Sequence, residues 1–287
     1  MSSAEVTAAP VAGAAPGGVW ASQVGSELRL VFGRRRNLAM LLLLTAIPVF
    51  IGVAVKMSTP KPGEGPPFIS ELTGNGLFLA FTALAICLPV FLPLAVAVVA
   101  GDAVAGEAGA GTLRYLLSIP VSRGRLLAVK TLGVLAYLAA AILLVTVGGL
   151  VTGVILFGTH GVTLISGDTV SVGDGLVRAT AVAAFVFVDL VGLVAIGLFL
   201  STLTEVPVGA MAATVVSAIA FAVLDSVPQL GWIRSALLTH HWLDFAELLR
   251  SSPDVSALLR WSLVPLAYAA IFGAAAWARI TTADVSG

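Results

Sequence analysis

Six runs of mostly apolar residues, each near the length of a bilayer crossing, constrain this chain more than any motif within it. They cover Leu38–Val55, Leu77–Ala100, Thr131–Phe157, Ala179–Leu200, Val206–Leu224 and Leu263–Ala278. A helix needs about 20 such residues to cross the hydrocarbon core. No water is there to satisfy peptide groups, so a crossing segment without barrel periodicity must be helical. The rest of the composition agrees. Of 287 residues, 59% are hydrophobic and 10% charged, against about 25% charged in soluble domains, and the mean hydropathy is +1.06. The expected fold class is all-α integral membrane, with six transmembrane helices. A net charge of zero argues against nucleic acid as a partner. The lone cysteine, Cys87, lies inside an apolar run, so neither an intrachain disulfide nor a cysteine metal site is expected.

Residues 1–18 are rich in Ala, Pro and Gly, lack the layout of a signal peptide, and read as a disordered tail. Residues 19–287 read as one transmembrane domain. Nine basic residues flank the spans on one side (Arg29, Arg34, Arg35, Arg36, Arg114, Arg123, Arg125, Lys130 and Arg279) and six on the other. By the positive-inside rule both termini are expected in the cytoplasm. Twelve arginines against three lysines, with abundant Ala, Gly and Val, point to a bacterial inner (plasma) membrane. Ahead of the first span, Trp20, Val24, Leu28 and Val31 recur at helical spacing opposite Gln23, Ser26, Glu27 and Arg29, the pattern of a helix lying in the membrane interface. Between the fourth and fifth spans, Thr204 is placed to N-cap a helix that has Pro207 in its first turn.

Several residues inside the spans stand out. Pro89 and Pro93 each remove a backbone donor from the second span and predict a bend. Such a bend suits a moving, pathway-lining helix and an architectural one equally. Gly149 and Gly153 form a GxxxG in the third span, which predicts close helix packing without naming the partner. Asp189 falls mid-span in the fourth, where a carboxylate must face protein or water. A satisfied interhelical hydrogen bond and a substrate or proton-coupling site both fit it. Between the fifth and sixth spans, Asp225 to Arg260 is too polar to cross and too apolar for a plain loop, and reads as a short helical hairpin in the outer leaflet. Within it His240, Asp244 and Glu247 fall at i, i+4 and i+7, which describes either a divalent metal site or a solvated polar face. No metal site is assigned.

No phosphate loop of the form GxxxxGK[ST], no HExxH and no GxSxG occurs, so no catalytic set and no cofactor site is expected in this chain. The polar break after the second span carries more information. Thr112 can N-cap a helix whose Leu113, Leu116 and Leu117 form an i, i+3, i+4 stripe, and Pro120 ends it. Ser122 can cap the helix that runs on into the third span. A leucine stripe of this kind docks into a partner's groove, or packs on headgroups or on the chain's own helices.

The register Glu107-x-x-x-Gly111-Thr112-Leu113-x-x-Leu116-Leu117-x-x-Pro120-x-Ser122-Arg123 resembles the loop motif of ABC-2-type permeases, the membrane subunits of one class of ATP-binding-cassette exporters with a type V-like fold. Six spans, inward termini, the interfacial helix and the outer hairpin extend the likeness. Ala108, Gly109 and Ala110 depart from it, since similar proteins carry charge there. The resemblance implies a permease that pairs with a second copy, or with a related permease, and with two ATP-binding subunits that hold ATP and Mg. It also implies ATPase coupling through Glu107, Gly111, Thr112, Leu113, Arg114, Leu116, Leu117 and Arg123. A path along spans two and five would then bring in Pro89, Phe91, Pro93 and Met211, while drug, antibiotic, lipid and metal-cluster-maturation permeases all fit. The rival expectation is an ion-coupled secondary transporter or channel that uses Asp189.

Overall fold

The computed structural model describes residues 16–58, 76–111, 122–158, 162–163 and 169–282. The helices in order are α1 (Pro16–Gly33), α2 (Arg35–Ser58), α3 (Phe78–Cys87), α4 (Phe91–Asp102), α5 (Ala105–Gly109), α6 (Arg123–Phe157), α7 (Val172–Ser201), α8 (Pro207–Ser226), α9 (Gly231–Arg234) and α10 (Val255–Thr282). Short 3-10 turns occupy Pro228–Leu230 and Asp244–Leu249. A two-residue antiparallel ladder, β1 (Val162–Thr163) against β2 (Thr169–Val170), sits between α6 and α7. Five helices (α2, α6, α7, α8 and α10) are long and apolar enough to cross a membrane. The pair α3–α4 meets the same test when taken together, bent by 56° at its break.

Local chemistry sets these boundaries. Pro89 lies in the break at 88–90, whereas Pro93 falls in the first turn of α4, where a missing N–H costs nothing. The bend therefore belongs to Pro89, and Pro93 is merely tolerated. The α7 helix opens with Ser171 Oγ accepting from Asp174 N at 3.1 Å. At the start of α10, Asp254 Oδ1 accepts from Ser256 Oγ at 2.7 Å and Ala257 N at 3.0 Å. These bonds hold the Asp254 carboxyl below its ordinary value. Two expected caps differ. Val206, not Thr204, is the N-cap of α8, and Thr204 Oγ1 instead accepts from Val206 N. Ser122 holds the N-cap position of α6 without a side-chain cap bond. The span ends also move outward: α10 has 28 residues and begins at Val255, where the apolar run alone predicts Leu263.

Helix α7 is the axis of the bundle, with 67% of its most apolar window buried against 17–33% for the other four long helices. It packs on α10, α4, α6 and α8. Its buried face runs through Val182, Val186, Asp189, Leu190 and Leu193. Helices α2 and α3 pack on the opposite side of α6.

Glycines set the closest approaches. A Cβ on Gly149 would lie 2.6 Å from Ala80 Cα, and one on Gly153 would run into the Gly76 carbonyl oxygen. The partner of the GxxxG face is thus α3 and the turn before it, within the same chain. With lipid replacing water there is little hydrophobic drive between helices, so such backbone contact is a principal source of association. Gly153→Ala should lower both the yield and the melting temperature of the detergent-purified protein, because its methyl group meets backbone. Gly148→Ala should cost less, since the closest atom its Cβ would meet is Pro48 Cγ at 3.3 Å, with the Thr45 carbonyl oxygen at 3.6 Å. Fluorescence-detected size exclusion after heating checks the pair, and equal melting of both variants would contradict the assignment.

Candidate functional site

The N-terminal ends of α2, α6 and α8 and the C-terminal ends of α4, α7 and α10 lie at one end of the bundle, where most of the buried charge is found. Asp102, the last residue of α4, has a side chain only 8% exposed. Its carboxylate pairs with Arg34, at the α1–α2 junction, and with Arg36 Nη2 at 2.8 Å. Two members of the Arg34-Arg35-Arg36 cluster thus bind protein. Arg36 Nη1 also reaches Met211 Sδ at 3.9 Å.

After Asp102 the chain turns, and the turn is held by a hydroxyl from the central helix. Buried Ser201 Oγ accepts from Val104 N at 3.0 Å and Ala105 N at 2.9 Å, and donates to Gly101 O at 2.7 Å. One side chain therefore satisfies three backbone groups that the end of α4 and the start of α5 leave open. The glycines here are packing positions. A Cβ on Gly101 would lie 2.7 Å from Met211 N, one on Gly106 2.5 Å from Asp102 Oδ1, and one on Gly109 2.6 Å from Glu205 O. Gly111 alone needs the left-handed region, at φ +70°.

The third device is a buried triad. Lys130 on α6 is 2% exposed. Its Nζ bonds Glu27 Oε2 on α1 at 2.7 Å and also Glu107 on α5. Burial pushes the Glu27 carboxyl above its ordinary value of 4.5, against the opposing pull of Lys130. Glu27 therefore lies on the packed face of α1 and not, as its helical position predicts, on the polar face with Ser26 and Arg29. Gly133 makes room for it, since a Cβ there would sit 2.8 Å from Glu27 Cγ. Beside the triad, Asn37 Nδ2 donates to Val31 O at 2.8 Å and Tyr137 Oη donates to Asn37 O at 3.0 Å, tying α1, α2 and α6 together.

Among the coupling residues, Glu107 and Gly111 lie on this scaffold. Arg123 donates from Nη1 to Ile280 O at 3.2 Å, joining α6 to the end of α10. Thr112, Leu113, Arg114, Leu116, Leu117 and Pro120 lie outside the described residues. Helices α4 and α8, from the second and fifth apolar runs, are in direct contact, with Met211 against Gly101. Phe91 begins α4 ten residues before Gly101, about 15 Å away along the helix at 1.5 Å per residue. It is half-buried against the core, Pro93 is buried, and Pro89 is exposed at the break.

The opposite end carries smaller polar clusters. His240 Nδ1 lies 2.7 Å from Asp225 Oδ1, which also accepts from Arg234 Nε at 3.1 Å. His241 Nδ1 lies 2.6 Å from Asp244 Oδ2. Because Asp244–Leu249 is a 3-10 turn preceded by irregular backbone, His240, Asp244 and Glu247 do not share a regular helical face. Among the described residues no group of three such side chains is placed to hold a metal ion. Asp189 is 1% exposed, and its Oδ2 finds no hydrogen-bond partner. Of the two readings of Asp189, the satisfied interhelical bond is not seen at this oxygen among the described residues.

Nothing local marks Glu27, Asp102 and Ser201 as parts of this cluster, because their partners lie 103, 66 and 100 residues away in the chain. Lys130→Met should leave Glu27 and Glu107 facing each other without their cation. Removing one partner of a buried pair costs about 3–5 kcal/mol, so the melting temperature should fall sharply. Adding Glu27→Gln should recover part of that loss, which thermal unfolding of the single and double variants measures.

No curated protein matches the chain. The family model described as "Protein of unknown function (DUF2705)" matches residues 39–286, and the chain belongs to this family.

Proposed function

We propose that this chain is the membrane-spanning permease subunit of an ATP-binding-cassette exporter of the ABC-2 type. In this reading it works with a second permease and two ATP-binding subunits, which hold ATP and Mg and carry out hydrolysis. The observation that carries the reading is the Glu107–Arg123 motif. Its two ends are fastened to the bundle, Glu107 through Lys130 and Arg123 through the end of α10. The bent pair α3–α4 counts as one crossing, which makes six. Helix α1 lies at the inner interface, the ion-paired end faces the cytoplasm, and the segment Asp225–Arg260 covers the outer end.

The buried contacts give this reading a mechanical route. Displacement of the segment between Gly111 and Ser122 by an ATPase would pull on α5. From there it would reach α6 and α1 through Glu107, Lys130 and Glu27, and α2 through Asp102 and its two arginines. Ser201 carries the same displacement to α7. The substrate path runs along α3–α4 and α8, with the break at Pro89 allowing the two halves to move separately. Glu107 and Lys130 are positioning residues here, while Leu113, Leu116 and Leu117 form the docking stripe.

One observation favours the rival, the unpartnered oxygen of Asp189, and a single pair of variants separates the two readings. Leu116→Asp puts a charge into an apolar groove, where an unpaired charge is very costly. The variant should insert and melt like the parent, yet lose the copurifying ATP-binding subunit and ATP-dependent transport. Asp189→Asn should keep both. If Leu116→Asp keeps its ATPase and its transport while Asp189→Asn abolishes transport at normal expression, the ion-coupled reading replaces the permease.

A further inference from the structure

A crevice of about 120 Å³ lies between α6, α7 and α10, with Leu127, Leu135, Val191, Leu198, Ala269 and Gly273 among its lining residues. Thr131 contributes the one hydroxyl, and its Oγ1 is turned back onto Leu127 O at 2.8 Å. The wall therefore offers carbon, and an apolar cavity of this kind does not hold water. Gly273 lies where the helix surface is open, because a Cβ built on it meets nothing within 4 Å. From Leu135 to Leu127 the crevice follows α6 for eight residues, about 12 Å. Ala276 lines it at the same end of the bundle as the buried triad.

The residues just beyond that end differ in character. Trp277 is exposed, and its Nε1 lies over Gly124 at the start of α6. Arg279, three residues past Ala276 on the same helical face, is exposed and pairs with no side chain among the described residues. Tryptophan and arginine gather at headgroup depth in membrane helices. An apolar slot between three long apolar helices, with an exposed arginine about one helical turn beyond its Ala276 wall, matches one class of ligand in both its parts.

We infer that this crevice binds a phospholipid, with one acyl chain in the slot and an anionic headgroup phosphate against Arg279. The inference rests on α6, α7 and α10 crossing a bilayer and not on the permease reading, so either can fail alone. The site lies on the α6–α7–α10 face, away from α3–α4 and α8. It is accordingly a binding site for a resident lipid and not a section of the proposed path.

Native mass measurement of the full-length protein, released from detergent after incubation with equal amounts of phosphatidylglycerol and phosphatidylcholine, tests it. The parent should retain one lipid per chain and favour phosphatidylglycerol by about fivefold, the effect of one arginine near an anionic surface. Gly273→Leu adds a side chain into open space, so it should melt like the parent and lose the retained lipid. Arg279→Gln should keep the lipid and lose the preference between headgroups. Retention by Gly273→Leu equal to the parent would falsify the site. Equal retention of the two lipids by the parent would remove the headgroup contact, and a change in oligomeric mass in place of lipid loss would make the crevice a protein interface.

Discussion

An ammonium group sealed inside an apolar bundle must be paired, and this requirement at Lys130 organises the end of the molecule on which the functional reading depends. An isolated buried charge costs far more than one helix contact returns. Lys130 Nζ accordingly meets two carboxylates, from α1 and α5. Helix α5 has only five residues, and α1 packs mainly on α6. The ion pairs join both to α6 at this end of the bundle. Asp102 does the same for the joint between α1 and α2.

Neutral contacts complete the frame by a different means. Ser201 reaches across from the central helix and satisfies the backbone at the turn after α4. Along α6, glycines admit the backbone of α3, and at the end of α4 Gly101 admits the backbone of α8. The segment that carries the motif therefore leaves a stiff platform at Gly111 and returns to one at Arg123.

The opposite end is built otherwise. Its charges lie nearer the surface and pair over short sequence distances, as His240 and Arg234 do with Asp225 and Arg250 with Glu247. Arg178 ties this end to α7 by donating to the Leu248 and Arg250 carbonyls. Such part-exposed pairs are worth little individually. The irregular backbone there is held instead by buried Leu238, Trp242, Phe245 and Leu249 against the core.

Apolar length is a local property that the bilayer reads directly, so the helical class, the five long apolar helices and the bent sixth run are legible from the residues alone. The sequence also held the whole motif from Glu107 to Arg123. It misplaced what depends on neighbours distant in the chain. Glu27 looked solvent-facing from helical periodicity, because nothing local reveals that Lys130 lies across from it, 103 residues away. The GxxxG of α6 announced a close contact without its partner, and the spacing of His240, Asp244 and Glu247 assumed a regular helix that the 3-10 backbone does not supply. Which charges are buried together follows from the packing of the helices, because the cost of burying a charge is set by groups from other helices and leaves no mark on the local sequence pattern.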